Sequence, residues 1–326
     1  MRKQWNPNIL PLRSRNPLKL ALPGYGEGSS VGIPFTVFVG GERDPHLLVI
    51  AGVHGDEFEG PAVLHDFVQE IHPAQLRGTL TLVPIANPQA FHAGTRRNPA
   101  DLGDLNRAFP GNATGSATER LAHLLFQELV LGNDAILSLH GWSKEAAVVP
   151  YAEYPDVHNE PGGRSCAAAH ALDFEFLHPY RWPAGVLGEA ALKFDIATVE
   201  TEVGGMGTVT PEGQATYRDA VLRFIAHFGM RDYQGGPSRA AKIVSHGDLL
   251  ANYAGLLRSR VRPGDWVEMG QLLVTVHALG GECLEEVRAP RAGIVAILRT
   301  FSSVKPGERL VQLFWEAEGN EANLLS

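Results

Sequence analysis

From His46 to Pro183 the chain repeats one pattern, a short apolar run followed by a longer segment with apolar residues at helical spacing. That alternation restricts the fold more than any other feature. It is the signature of an α/β domain in which helices cover a largely parallel sheet. The apolar runs are 46–51, 79–85 and 135–139. Between the first two, residues 61–71 place Val63, Leu64, Phe67 and Val68 on one helical face, and Gly78 follows as a stop. Ser116 and Glu119 have the spacing of a capping box. Behind them Leu121, Leu124, Leu125 and Leu129 form a stripe expected to pack on the sheet.

With 326 residues the chain exceeds the usual size of one domain, and 44% hydrophobic with 20% charged residues is an ordinary globular balance. Residues 232–238, with Gly235, Gly236 and Pro237, read as a linker. The expected organisation is an α/β unit over 1–235 and a small all-β unit over 236–326. In the second unit the stretches 261–273 and 304–310 each hold a Pro-Gly turn between β-rich flanks.

A formal net charge of -8 argues against a nucleic-acid partner, which would need clustered Lys and Arg. No apolar run approaches the roughly 18 residues that span a bilayer, so no membrane partner is expected. The opening stretch, Met1 to Leu12, lacks the apolar core of a signal peptide. A cytoplasmic location follows as the default. Cys166 and Cys283 are too few for a disulfide framework or a thiolate zinc site. Homo-oligomerisation is compatible with the sequence.

The first strand runs into Gly52-Val53-His54-Gly55-Asp56-Glu57. A bend from strand to helix here would put His54 and Glu57 at the strand's carboxyl end, where open α/β sheets bind ligands. With Glu57 on the first helical turn, both side chains can converge on one cation. His140 closes the run 134–140, again at a carboxyl end, and reaches the same rim. Two His nitrogens and one carboxylate leave a fourth position open, the arrangement of catalytic zinc. H-x-x-E alone is a weak signal among 13 histidines. A second polar group, the Arg-, Asn-, Pro- and Gly-rich loop 96–111, strengthens it, being poorly explained as mere connection. In the stretch 198–205, carboxylates interrupt a β-type run before a glycine pair. Glu200 and Glu202 point to one face by the period of two, so alternation does not separate them. The glycines favour Glu202, nearest the strand's carboxyl end.

Four pieces, His54-Gly-Asp-Glu57, Asp104-Leu-Asn-Arg-Ala-Phe-Pro-Gly111, Leu139-His140 and Glu202-Val-Gly-Gly205, together resemble the succinylglutamate desuccinylase and aspartoacylase family, deacylases related to zinc carboxypeptidases. The resemblance implies a zinc-carboxypeptidase-like doubly wound mixed sheet with a smaller C-terminal all-β domain. It implies one Zn2+ per chain on His54, Glu57 and His140, with Glu202 as the catalytic carboxylate. Asn106 and Arg107 would grip the substrate carboxylate. An arginine would steady the oxyanion; the family's Gly-Thr-Arg favours Arg96, and Arg97 is its immediate neighbour. The implied reaction is hydrolysis of the amide bond in a small N-acyl amino acid or related carboxylate. A peptide-cleaving carboxypeptidase and a catalytically silent binding module are the alternatives.

The segment after the linker also resembles biotinyl and lipoyl carrier domains, yet no lysine lies between Lys242 and Lys305 to hold a prosthetic group. Every proposed ligand precedes the linker, so the metal site is expected to belong to the first unit. Tyr253 is a candidate to reach inward from the second.

Overall fold

The computed structural model describes residues 6–22, 32–233, 235–236 and 239–317. In chain order the elements are β1 (Ser14–Ala21), β2 (Gly32–Val39), β3 (His46–Ala51), α1 (Glu59–Glu70), β4 (Thr79–Val83), α2 (Pro88–Ala93), α3 (Ala117–Leu125) and β5 (Ala135–His140). There follow β6 (Ala146–Pro155), α4 (Glu160–Ala171), β7 (Phe176–Tyr180), α5 (Leu187–Leu192), β8 (Ala197–Gly205) and α6 (Pro211–His227). The remainder is β9 (Lys242–Leu250), β10 (Gly255–Ser259), β11 (Trp266–Val267), β12 (Leu272–His277), β13 (Cys283–Arg288), β14 (Gly293–Arg299), β15 (Ser303–Val304) and β16 (Arg309–Glu316).

The centre of the molecule is the parallel set β4-β3-β5-β8. Its strands are near-continuous apolar runs because helices cover both faces. Alternation along β3 shows this directly. Leu47, Val49 and Ala51 join the core beneath α1, α4 and α6, with Phe67, Ala169 and Phe224. Leu48 and Ile50 join the opposite core beneath α3 and α5, with Leu125 and Ala190. The capping box at Ser116 and Glu119 forms as expected, and Leu121, Leu124, Leu125 and Leu129 are buried. Antiparallel neighbours extend the set on both sides, β2 beside β4 and β6 beside β8, so the sheet is mixed. Strand order departs in opposite directions from β3, to β4 on one side and β5 on the other. Ligands gather at such a switch point, outside the strands' carboxyl ends.

After α6 every described element is a strand. The expected all-β segment is present, but it is not a detached unit. β9 pairs in parallel with β7, whereas β16 pairs antiparallel with β9, and β14 antiparallel with both β16 and β6. These strands close on themselves through β6, and the boundary near residue 235 falls inside one continuous hydrogen-bonded sheet of twelve strands. A second sheet, β13-β12-β10-β15, packs against this segment through its own apolar cluster. Among the described residues no helix is long and apolar enough to cross a membrane.

The shared sheet has a consequence for truncation. Tyr151, Val148 and Phe176 from the first half pack against Phe314, Ile297 and Ala296 from the second. A chain ending at residue 238 would expose that surface and leave strand edges unpaired. It is expected to aggregate or to melt without cooperativity in a calorimetric scan. A soluble truncation with an unchanged melting temperature would contradict this packing account.

Candidate functional site

β3 ends in a turn that only small residues can make. Gly52 has φ +62°, and a Cβ at Gly55 would lie 1.9 Å from the carbonyl carbon of Ala90, so the backbone passes against α2 with no room for a side chain. The turn directs His54 and Glu57 inward, each 3% exposed. Glu57 precedes the first residue of α1 by two positions, so it sits on the turn and not on the first helical turn, as the sequence had suggested. His140 enters from the end of β5, also buried.

The three side chains converge. His54 Nδ1 is 2.7 Å from Glu57 Oε1, and His140 Nδ1 is 3.0 Å from Glu57 Oε2. The two Nδ1 atoms lie 3.3 Å apart. A tetrahedral zinc with Zn–N of ~2.0–2.1 Å separates its nitrogens by about 3.3 Å, so the spacing suits that ion. The outer nitrogens are engaged as metal-binding imidazoles require. His54 Nε2 meets Asp104 Oδ1 at 3.2 Å, and His140 Nε2 meets the Ser138 hydroxyl at 3.0 Å. Donation outward from Nε2 leaves a lone pair on each Nδ1, facing the common point.

The electrostatics of the cluster favour a positive charge at that point. Burial opposes ionisation of Glu57, but His54 and His140 outweigh it and hold the carboxyl well below its usual range. Burial likewise opposes a charged His140, and the Glu57 carboxylate reverses this, raising its pKa to about 9. Two imidazoles and a buried carboxylate with atoms this close could hold a metal ion.

Arg96 stands at the rim. Its Nε donates to Asp104 Oδ2 at 3.1 Å, and a terminal nitrogen lies 3.7 Å from Glu57 Oε1. Arg97 is not brought to the cluster; it is exposed and donates to the carbonyl of Leu102. Glu202 pairs in register with His140 across β5 and β8 and accepts the backbone N–H of Trp142 at 2.8 Å. Burial, reinforced by Glu57, pushes its carboxyl well above the ordinary range. Glu200 faces the same cavity, as the period of two requires. Both of its oxygens are committed, one to Asn106 Nδ2 at 3.2 Å and the other to the N–H of Gly188 at 3.3 Å.

Asn106 lines the cavity and also ties the fold together. Its Oδ1 accepts the N–H of Leu187 at 2.9 Å while its Nδ2 holds Glu200, so the buried amide ties α5 to β8. Only one amide hydrogen is left without a partner among the described residues. Arg107 is exposed, donates from one terminal nitrogen to the carbonyl of Asn106 at 2.6 Å and lines the cavity, where its remaining donors can meet an anion.

These groups line a cavity of about 420 Å³. Its remaining wall holds Glu153, His178 and Trp182 from β6, β7 and the loop after β7, and His246, Asp248 and Arg309 from the carboxyl-terminal strands. Sequence reading missed all six, and it quoted Asp104 without a role. Glu153 offered a readable signal, a carboxylate inside the apolar run of β6. The others come from β7 and the loop after it, from β9 and from β16, and only the folded sheet brings them together. Tyr253, the residue considered for this wall, is 51% exposed and lies away from it.

The family model described as the succinylglutamate desuccinylase/aspartoacylase catalytic domain matches residues 43–228. N-alpha-acetyl-L-2,4-diaminobutyric acid deacetylase of Halomonas elongata is 32% identical over 315 residues, 89% of each chain. The product-bound ectoine utilization protein EutE (DoeB) of Ruegeria pomeroyi superposes with a TM-score of 0.85 at 27% identity, covering 94% of this chain and 97% of that one. A protein of the same family from Rhodobacter sphaeroides has the same fold, with a TM-score of 0.85 at 23% identity over 96% of this chain and 98% of that one.

Purified protein is expected to contain one zinc per chain by metal analysis, and His54→Ala, Glu57→Ala and His140→Ala each to lose it. Asp104→Ala, which removes the outer partner of His54 together with the anchor of Arg96, should weaken zinc affinity by ~10–100-fold. Full occupancy in all three ligand variants would refute the site.

Proposed function

The chain belongs to the succinylglutamate desuccinylase/aspartoacylase family, and from that membership we propose that it is a zinc-dependent amidohydrolase that deacylates a small N-acyl amino acid. The observation that carries the reading is the convergence of His54, Glu57 and His140 at one side of an enclosed cavity that also holds Glu202, Arg96 and Arg107. A volume of about 420 Å³ suits an acylated amino acid. N-α-acetyl-L-2,4-diaminobutyrate, the compound named for the Halomonas relative, is the first substrate to test.

His54, Glu57 and His140 would hold the metal. Bound there, zinc supplies a Lewis acid that makes water nucleophilic near neutral pH and polarises a carbonyl. Glu202 takes the proton of the attacking water on a carboxylate oxygen and returns it to the departing amine. Burial, reinforced by Glu57, raises its pKa, and a carboxyl held above the ordinary carboxylate range is a stronger base toward the water proton. Arg96 donates to the oxygen on which negative charge develops, and its link to Asp104 fixes the guanidinium in place beforehand. Arg107 receives the substrate carboxylate on its planar fork. Asn106 acts one step back, by holding Glu200 and the start of α5.

Glu202→Gln is expected to keep its zinc and lose ~10²–10⁴-fold in kcat, because the amide keeps the shape but cannot carry the proton. Glu200→Gln should be much milder. Arg96→Ala should cost ~10²–10³-fold in kcat, and Arg97→Ala close to nothing. Steady-state rates on N-acetyl amino acids read both pairs; a reversed order in either would assign the roles to the wrong member.

A further inference from the structure

The loop that follows His140 is held from outside by the carboxyl-terminal strands. Glu145 pairs with Arg299 of β14 at 3.1 Å, and its carbonyl accepts the N–H groups of Thr300 and Phe301 at 2.8 and 3.1 Å. Between these contacts and His140 lies Trp142, whose φ of +51° is a left-handed conformation that bulky residues rarely adopt. Its N–H donates to Glu202 Oε2 at 2.8 Å, the one hydrogen bond that this carboxylate accepts among the described residues.

The indole is engaged as well. It packs against the apolar cluster of Val148, Tyr151 and Phe314 and lies under the guanidinium of Arg309, whose Cζ is 4.8 Å from the ring centroid. Arg309, the first residue of β16, is itself fixed. It donates to Asp248 Oδ2 at 2.7 Å, and Gln312 Nε2 donates to the other oxygen of Asp248 at 2.8 Å.

We propose that Arg309 is a positioning residue for Glu202, holding Trp142 in the left-handed turn that aims its N–H at the general base. The proposal rests on the deacylase reading, which gives Glu202 that role, and adds to it a control exerted from the carboxyl-terminal strands.

Two forces act on Trp142 in opposite senses. A left-handed aromatic residue is strained, so a free loop would turn φ back to negative values. A cation over the indole is attracted to the electron-rich face of the ring, and the ring lies under Arg309 only while the backbone keeps its turn. With the far end of the loop fixed at Glu145, relaxation of φ at Trp142 turns the peptide that carries its N–H, and Glu202 loses its donor. A carboxylate without that bond is free to change rotamer, whereas a general base must stay within hydrogen-bond reach of the proton it takes. Arg309 also lines the cavity, and its Nε is buried without a partner, so a direct hold on the substrate is the competing role.

The test combines kinetics with amide exchange in the full-length, zinc-loaded protein. Arg309→Met keeps the apolar stem and removes the charge. It is expected to lower kcat ~10-fold on whichever N-acetyl amino acid wild type cleaves, with KM nearly unchanged; that is the scale on which loss of a cation–π contact shifts a two-state equilibrium. Arg309→Lys keeps a cation above the indole and should restore most of the loss. Trp142→Gly removes the strain together with the ring, so in that background Arg309→Met should lower kcat no further. Such non-additivity marks one residue acting through another. Exchange of the Trp142 amide, read by NMR on protein labelled with ¹⁵N-tryptophan, should be slow in wild type and ~10-fold faster in Arg309→Met. Arg309→Gln takes the place of Arg309→Met if the latter does not fold. A raised KM with kcat unchanged, an equal loss of kcat in the Trp142→Gly background, or an unchanged exchange rate would each overturn the clamp. If wild type cleaves no N-acyl amino acid, the deacylase reading fails, and the exchange rates alone decide whether Arg309 holds the Trp142 N–H.

Discussion

Glu57 has both carboxylate oxygens buried between two imidazoles, 2.7 Å from His54 and 3.0 Å from His140. A carboxylate shut away from water must be compensated, and breaking one partner of a buried charged pair costs ~3–5 kcal/mol. The structure meets that demand by bringing three separate pieces of backbone to one point. The turn after β3 carries His54 and Glu57, the end of β5 carries His140, and the loop before α3 carries Asp104 behind His54. Each depends on the parallel order β4-β3-β5-β8, which sets the carboxyl ends of β3 and β5 side by side. Gly55 lets the turn pass α2, and Ser138 holds the far side of His140. The sheet, the turn and the cation site form one connected solution.

What could be read beforehand follows from how local each signal is. β3 and β5 are short apolar runs with helices on both faces, so their existence and nearly their bounds were visible. His54, Glu57 and His140 sit at the ends of those runs, where chain direction alone predicts a ligand. The choice between Arg96 and Arg97 was not local. Adjacent residues in a loop point in different directions, and only the contact with Asp104 selects Arg96. The structural part played by Asn106 was not local either. An amide in a polar loop gives no sign that β8 and α5 will hold it from two sides.

The segment after residue 238 was legible as β structure but not as part of the cavity. A Gly- and Pro-rich stretch at 232–238 marks a change in composition, and composition does not reveal that β9 will pair with β7 or β14 with β6. Those pairings carry His246, Asp248 and Arg309 to a cavity whose other lining residues, from His54 to Glu202, precede that stretch, with only Gln312 beside them after it.

The central claim is that the cluster around Glu57 is the resting place of a catalytic zinc. Anomalous diffraction at the zinc edge, from crystals of protein purified without added metal, tests it most directly. The account predicts a single strong peak ~2.0–2.1 Å from Nδ1 of both His54 and His140 and in contact with the Glu57 carboxylate. A peak bound elsewhere, or through the Nε2 atoms with Asp104 and Ser138 displaced, would contradict it.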